Sequence, residues 1–223
     1  MTTDESFEET LIHDLEEMGA LLTGHFVLTS SPEGSSYRRH SGHYVNKDAV
    51  SSSPLRVYEI ADAVSHREDL GDLDIVTAPA VGGIVFGSMM ALALETQFAY
   101  AEPDGEELVF KRGFDNLIKT STRVLIVEDI ITSGETVSQM ISAVQNLGGE
   151  VAGVVVLWQR GEVDLGDVKL ISVVKKQFPA WDARVCGLCH QSVPISTDVG
   201  HGAEFLAEFG DDSANWPVNQ RKA

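Results

Sequence analysis

Apolar β-forming stretches and amphipathic stretches alternate along most of this chain. Phe7, Leu11, Ile12, Leu15, Met18 and Leu22 recur at three- and four-residue spacing and predict a first helix over 7–22. His25–Leu28 and His43–Asn46 read as short strands, separated by the Ser-, Gly- and charge-rich loop Ser30–Gly42. Ser53-Pro54 places an N-cap residue before a proline at the first helical position, so a helix is expected to run on to about His66. A strand at 73–77, a turn at 79–83, a helix at 84–94 and a strand at 97–101 follow. After a polar loop at 103–106 come strands at 107–111 and 124–127, then a helix to Leu147 that Gly148-Gly149 stops. Strands at 151–158 and 169–174 complete the pattern, and the tail beyond Gly210 is polar and expected to be mobile. Alternating strand and helix implies an α/β fold with a parallel sheet covered on both faces. Ligands in such sheets bind beyond the carboxyl ends of the strands, near the switch point.

Composition narrows the partners. With 43% hydrophobic residues over 223 positions the chain has enough apolar surface for a real core, and no run approaches the roughly 18 apolar residues of a membrane span. The start, Met1 to Glu9, is acidic and polar rather than a signal peptide, so a cytoplasmic protein is expected. A net charge of −18 argues against nucleic-acid and anionic-membrane partners. It also means that an anionic ligand would need a locally basic pocket or a divalent cation. Few lysines beside many acids is a pattern suited to high salt.

The chemistry concentrates at 124–136, Val-Leu-Ile-Val-Glu-Asp-Ile-Ile-Thr-Ser-Gly-Glu-Thr. Four apolar β-formers run into Glu128 and Asp129, and a hydroxyl-rich turn around Gly134 leads into an amphipathic helix. The strand is expected to stop at the two acids and the helix to start near Thr132. The first-turn amides of a helix have no internal partner, and with the helix dipole they favour a phosphate. Gly134 permits close backbone approach, while Thr132, Ser133 and Thr136 add hydroxyl donors. Ionised Glu128 and Asp129 only accept hydrogen bonds, which suits sugar hydroxyls or a hydrated Mg²⁺. The segment is neither a Walker A loop nor a GxGxxG turn.

This segment resembles the phosphoribosyl-pyrophosphate loop of the type I phosphoribosyltransferases. The resemblance implies a Rossmann-like parallel sheet flanked by helices with a small N-terminal hood. It assigns the ribose hydroxyls to Glu128 and Asp129, which hold Mg²⁺ indirectly through the ribose, and the 5′-phosphate to Thr132, Ser133, Gly134, Glu135 and Thr136. Ala78-Pro79-Ala80-Val81-Gly82-Gly83 resembles the pyrophosphate loop of the same family, with Ala80, Val81, Gly82 and Gly83 as backbone donors; Gly82 stands where orotate members often have lysine. Arg160 resembles the arginine of the orotate members' Asp-Arg pair, which holds the base carboxylate, with Gln159 in place of the aspartate. Gly24–Ser30 and His40–Lys47 resemble the base-binding hood; Tyr44 could stack on a flat base, Thr29 replaces a lysine, and 31–39 is an apparent insertion whose Arg38 and Arg39, or else Lys47, could replace the lost charge. The family's mobile basic cover loop corresponds to Glu102–Glu107, which is acidic here, so only Lys111 and Arg112 remain as cations for the pyrophosphate.

Cys186-Gly187-Leu188-Cys189-His190 matches the haem c attachment pattern, but such haem is attached outside the cytosol. The expectation is two reduced thiols in a turn. A zinc site is the alternative, with His190 as third ligand and a fourth from His201 or a partner subunit.

The expected organisation is a helix and hood over 1–50, a phosphoribosyltransferase core over 51–180 and a C-terminal extension over 181–223. The expected activity is transfer of ribose 5-phosphate from phosphoribosyl pyrophosphate to orotate, with Mg²⁺, in a homodimer. Transfer to a purine or other base, and a non-catalytic phosphoribosyl-pyrophosphate or nucleotide-binding regulator, are the competing readings.

Overall fold

The structure, a computed structural model, describes residues 3–31 and 37–210. The chain divides into two compact units, one from residues up to 18 together with 47–177, the other from 19–46 together with those from 178 on. The division is not linear in sequence. The first helix falls in the larger unit with the core, and the C-terminal segment completes the unit that contains the hood.

In the larger unit, α1 spans Thr3–Glu17, α2 Lys47–Ser51, α3 Pro54–Arg67, α4 Gly83–Ala93 and α5 Glu135–Asn146. The smaller unit's first two strands are β1 (Leu21–Val27) and β2 (Arg39–Val45). The larger unit's strands are β3 (Ile75–Pro79), β4 (Gln97–Asp104), β5 (Glu107–Phe110), β6 (Arg123–Ile131), β7 (Glu150–Gln159) and β8 (Leu170–Lys175). They form one six-stranded sheet in the order β5-β4-β3-β6-β7-β8, parallel except for the β4–β5 hairpin at its edge. Strand order reverses between β3 and β6, so those two define the switch point.

Sheet burial follows from the sequence. Ile75, Val76, Val124 to Val127 and Val154 to Val156 are all buried, as continuous apolar runs must be when both faces are covered. α5 buries Val137, Met140, Ala143 and Val144 along one face; each larger apolar side chain so buried is worth about 1.5–3 kcal/mol. α4 lies very close to the sheet. A Cβ on Gly87 would come 2.9 Å from the Ala78 methyl and 2.8 Å from the Phe98 ring.

Several sequence expectations change in extent. The first helix ends at Glu17 rather than Leu22, because Gly19 takes a left-handed conformation (φ 69°) and Leu21 pairs with Val45 in β1–β2. β6 does not stop at the two acids. β7 continues to Gln159 and holds Ile130 and Ile131 in the ladder, so the helix begins only at Glu135. The expected polar loop at 103–106 is half strand: Pro103 pairs with Leu108 and Asp104 with Glu107, leaving Gly105-Glu106 as a tight turn with Gly105 at φ 67°. α2 was not anticipated.

The smaller unit contains an antiparallel sheet, β1-β2-β9, whose third strand is β9 (Ala180–Asp182). A 3₁₀ turn at Ala183–Val185, the short helix α6 (Gly187–His190) and α7 (Gly202–Phe209) follow. Val27, Ala183, Cys186, Cys189, Ile195 and Phe205 form its core. Most of the expected insertion, 32–36, and the tail beyond 210 lie outside the described residues. Among the described residues no helix is long and apolar enough to cross a membrane.

Candidate active site

The two glycine-containing turns singled out in the sequence follow β3 and β6, the neighbouring strands at the switch point. They meet through Asp129. A Cβ on Gly82 would lie 2.5 Å from Asp129 Oδ2, so only glycine fits where the first turn passes the carboxylate. Gly83 is equally constrained: its Cβ would come 3.0 Å from the Pro79 ring, 3.1 Å from the Ala78 methyl and 3.1 Å from the Val127 carbonyl. This packing seats the start of α4 directly on the ends of β3 and β6. The turn is held from below by Ala80 N–H donating to the Ala101 carbonyl (2.8 Å), the Ala80–Val81 peptide is cis, and the Val81 side chain is 81% exposed.

The second turn has its own constraint. Gly134 sits at φ 84°, which disfavours any residue with a Cβ, and a Cβ there would approach Val163 Cγ1 to 2.7 Å. Thr132, Ser133, Glu135 and Thr136 are exposed around it, while Gly134 is buried. Ser133 Oγ accepts only a long hydrogen bond from Glu135 N–H (3.5 Å). Ser138 N–H and Oγ both bond to the Gly134 carbonyl, which fixes the first turn of α5. The amides preceding that bond have no partner inside the helix, which is the arrangement that receives a phosphate.

Glu128 and Asp129 divide into unequal roles. Glu128 is buried, and its Oε1 accepts the Asp129 N–H (3.0 Å). Burial, then a hydrogen bond and charge repulsion from Asp129, push the Glu128 carboxyl up to about 9, against weaker opposing effects of the Asp129 backbone and Lys47. Near neutral pH it is therefore an uncharged acid. Asp129 Oδ1 accepts the Ile130 N–H (2.7 Å), whereas Oδ2 is buried with no hydrogen-bond partner among the described residues. Its nearest cation is Lys47 Nζ at 3.8 Å, on an exposed side chain at the start of α2. A buried carboxylate oxygen without a donor is costly unless a ligand completes it. Such an oxygen suits a sugar hydroxyl or the water shell of Mg²⁺.

The remaining predicted residues are distributed differently. Arg160 N–H donates to the Ile131 carbonyl (2.9 Å), which puts Arg160, half-buried, beside the end of β6. Neighbouring Gly161 passes close to the Thr132 carbonyl. Gln159 is buried and bonded to the Gly161 carbonyl and the Ser172 hydroxyl, so it is a structural amide. Lys111 and Arg112 are engaged across the edge hairpin: Lys111 with Asp104 at 3.5 Å, Arg112 with Glu102 at 2.9 Å. Tyr44 belongs to the smaller unit, where its ring packs 5.6 Å from that of Phe26. In the same unit Thr29 Oγ1 lies 3.2 Å from His201 Nε2, and Arg38 donates to the Thr29 carbonyl.

Comparison with known proteins agrees with this geometry. The phosphoribosyl transferase domain family matches residues 47–192. An orotate phosphoribosyltransferase of Erythrobacter litoralis is 37% identical over 78% of this chain and 88% of its own length. One from Caldanaerobacter subterraneus is 30% identical over 84% and 95%. Among solved structures, orotate phosphoribosyltransferase from Aeropyrum pernix superposes with a TM-score of 0.58 at 26% identity, covering 74% of this chain and 93% of that one. Adenine phosphoribosyltransferase from Thermoanaerobacter pseudethanolicus, 17% identical with a TM-score of 0.56, shares the fold. A six-stranded sheet with both glycine-containing turns at its switch point, and relatives matched over most of their length, place this chain in the type I phosphoribosyltransferase family.

Proposed function

We propose that the chain is an orotate phosphoribosyltransferase, forming orotidine monophosphate and pyrophosphate from orotate and phosphoribosyl pyrophosphate. The observation that carries the reading is the buried Asp129 Oδ2, which receives no hydrogen bond among the described residues, set against Gly82 and followed by the left-handed turn at Gly134. Acceptors for a sugar and donors for a phosphate stand a few residues apart on one strand–turn–helix unit. The names and coverage of the sequence relatives support orotate as the acceptor.

In the reaction the bond from C1′ to the pyrophosphate oxygen breaks and one from C1′ to a base nitrogen forms, with positive charge building on the sugar ring between. The turn 132–136 would hold the 5′-phosphate and anchor the sugar. Asp129 would accept from the ribose hydroxyls and place a negative charge near the developing cation. Glu128, buried and holding its proton, adds no second negative charge beside it. Backbone amides of 80–83 would receive the pyrophosphate, and Arg160 and Lys47 would orient the carboxylated base. Asp129, rather than the protonated Glu128, is the residue that would hold Mg²⁺ through the ribose, and the ion would supply positive charge for the pyrophosphate. We expect a homodimer, as the family's cover loop acts across one.

One observation favours a second reading, a binding protein without turnover. The two cations nearest the cover-loop position are paired with acids of their own hairpin. A pyrophosphate-release assay with phosphoribosyl pyrophosphate and Mg²⁺ against a panel of bases separates the two. Turnover with orotate, lowered roughly 100-fold in Asp129→Asn, is the expected result. Binding without release for any base would favour the sensor, and unchanged turnover in Asp129→Asn would refute the assignment of the site.

A further inference from the structure

The smaller unit contains a cluster that the transferase chemistry does not use. His25 on β1, His40 on β2, and Cys186 and Cys189 on either side of the start of α6 converge in its interior. All four are at most 3% exposed. One donor atom from each lies within 4.8 Å of every other. Cys189 Sγ is 3.2 Å from His40 Nδ1 and 3.6 Å from His25 Nε2. Cys186 Sγ is 3.7 Å from His25 Nε2, and the two ring nitrogens are 2.9 Å apart. A tetrahedral zinc ion with bonds of about 2.0–2.3 Å has ligand–ligand edges of about 3.3–3.8 Å. These four edges lie within a few tenths of an ångström of those values.

We infer that His25 Nε2, His40 Nδ1, Cys186 Sγ and Cys189 Sγ form a closed Cys₂His₂ site for a structural zinc ion. Two features go beyond proximity. First, His25 Nδ1 lies 2.7 Å from the Val193 carbonyl. A carbonyl only accepts, so that nitrogen carries the proton and Nε2 presents its lone pair to the cluster, the outer-shell contact typical of a metal-bound imidazole. Second, two thiolates and two neutral imidazoles balance a dication, so the loaded site has no net charge to bury. A disulfide between the two cysteines would need neither histidine. With four protein ligands and no open position, the site is structural rather than catalytic.

The two histidines correct the ligand set suggested by the sequence. His190 is exposed, and His201 is turned toward Thr29 and Glu204. A small apolar cluster that joins two distant stretches of chain is the kind of core a metal stabilises.

The test is elemental analysis of tag-free full-length protein purified under reducing conditions, with cobalt substitution as an independent readout. We expect about one equivalent of zinc per chain, retained in His190→Ala and lost in Cys189→Ser and in His40→Ala. Cobalt-loaded wild-type protein should show the intense d–d bands of a tetrahedral ion and thiolate-to-cobalt charge transfer. Zinc content equal in wild type and Cys189→Ser would overturn the proposal. So would cobalt spectra without thiolate charge transfer, a readout on wild-type protein that does not depend on the variants folding.

Discussion

At the scale of single residues, the pair Glu128-Asp129 shows how burial assigns different tasks to adjacent carboxyls. Glu128 holds its proton in the folded protein up to about pH 9, whereas in the unfolded chain it releases it near 4.5. The folded state therefore binds more protons between those values, and stability falls as pH rises through that window. Glu128→Gln removes the slope. It should be more stable than wild type at pH 8, by on the order of a few kcal/mol, and indistinguishable below pH 4. Denaturant titrations across pH measure this, and a slope retained in the variant would show that Glu128 is not its source. The identities of both acids, and the hydroxyls after them, were legible in the sequence, because acids on a buried strand need a reason. Their inequality was not legible. It depends on Gly82, whose missing Cβ makes room for Asp129, and that contact joins two turns 47 positions apart in numbering (82 to 129).

At the scale of elements, the strands of the larger sheet could be placed from their apolar runs, but their ends could not. β6 runs two residues past its acids because β7 supplies partners there, and no local pattern reports the length of a neighbour. The edge hairpin is the clearest case. Read alone, Pro103–Glu106 has loop composition; paired with β5, its first half is strand. The hairpin also sets Glu102 and Asp104 against Arg112 and Lys111, with both cations on exposed side chains and Glu102 half-buried. Such pairs contribute little to stability, usually under about 1 kcal/mol. Glu102→Gln with Asp104→Asn should leave the unfolding midpoint nearly unchanged. It should lower the apparent KM for phosphoribosyl pyrophosphate several-fold at low salt, because two acids no longer compete with a polyanion for the cations. The gain should vanish at high salt, where charges on the surface are screened. A KM insensitive to both changes would place Lys111 and Arg112 outside the reaction.

For the molecule as a whole, 34 acids against 16 lysines and arginines leave a net charge of −18. Self-repulsion of that size opposes compaction. Raising KCl from about 0.1 to 1 M shortens the screening length from roughly 10 to 3 Å, and the exposed ion pairs weakened at the same time contribute little. The melting temperature should therefore rise with KCl, and a fall in a thermal melt would contradict the charge argument. The α/β class was readable at this scale, but the partition of the chain was not. Cys189 and His40 are 149 residues apart, and only strand pairing reveals that they share an interior. The same pairing bears on the order of assembly. β9, which hydrogen-bonds to β2, and the cysteine turn after it are synthesised only after the whole of 47–177. The two histidines are therefore made long before the two cysteines that share their interior, and that interior cannot close until the later stretch has been translated.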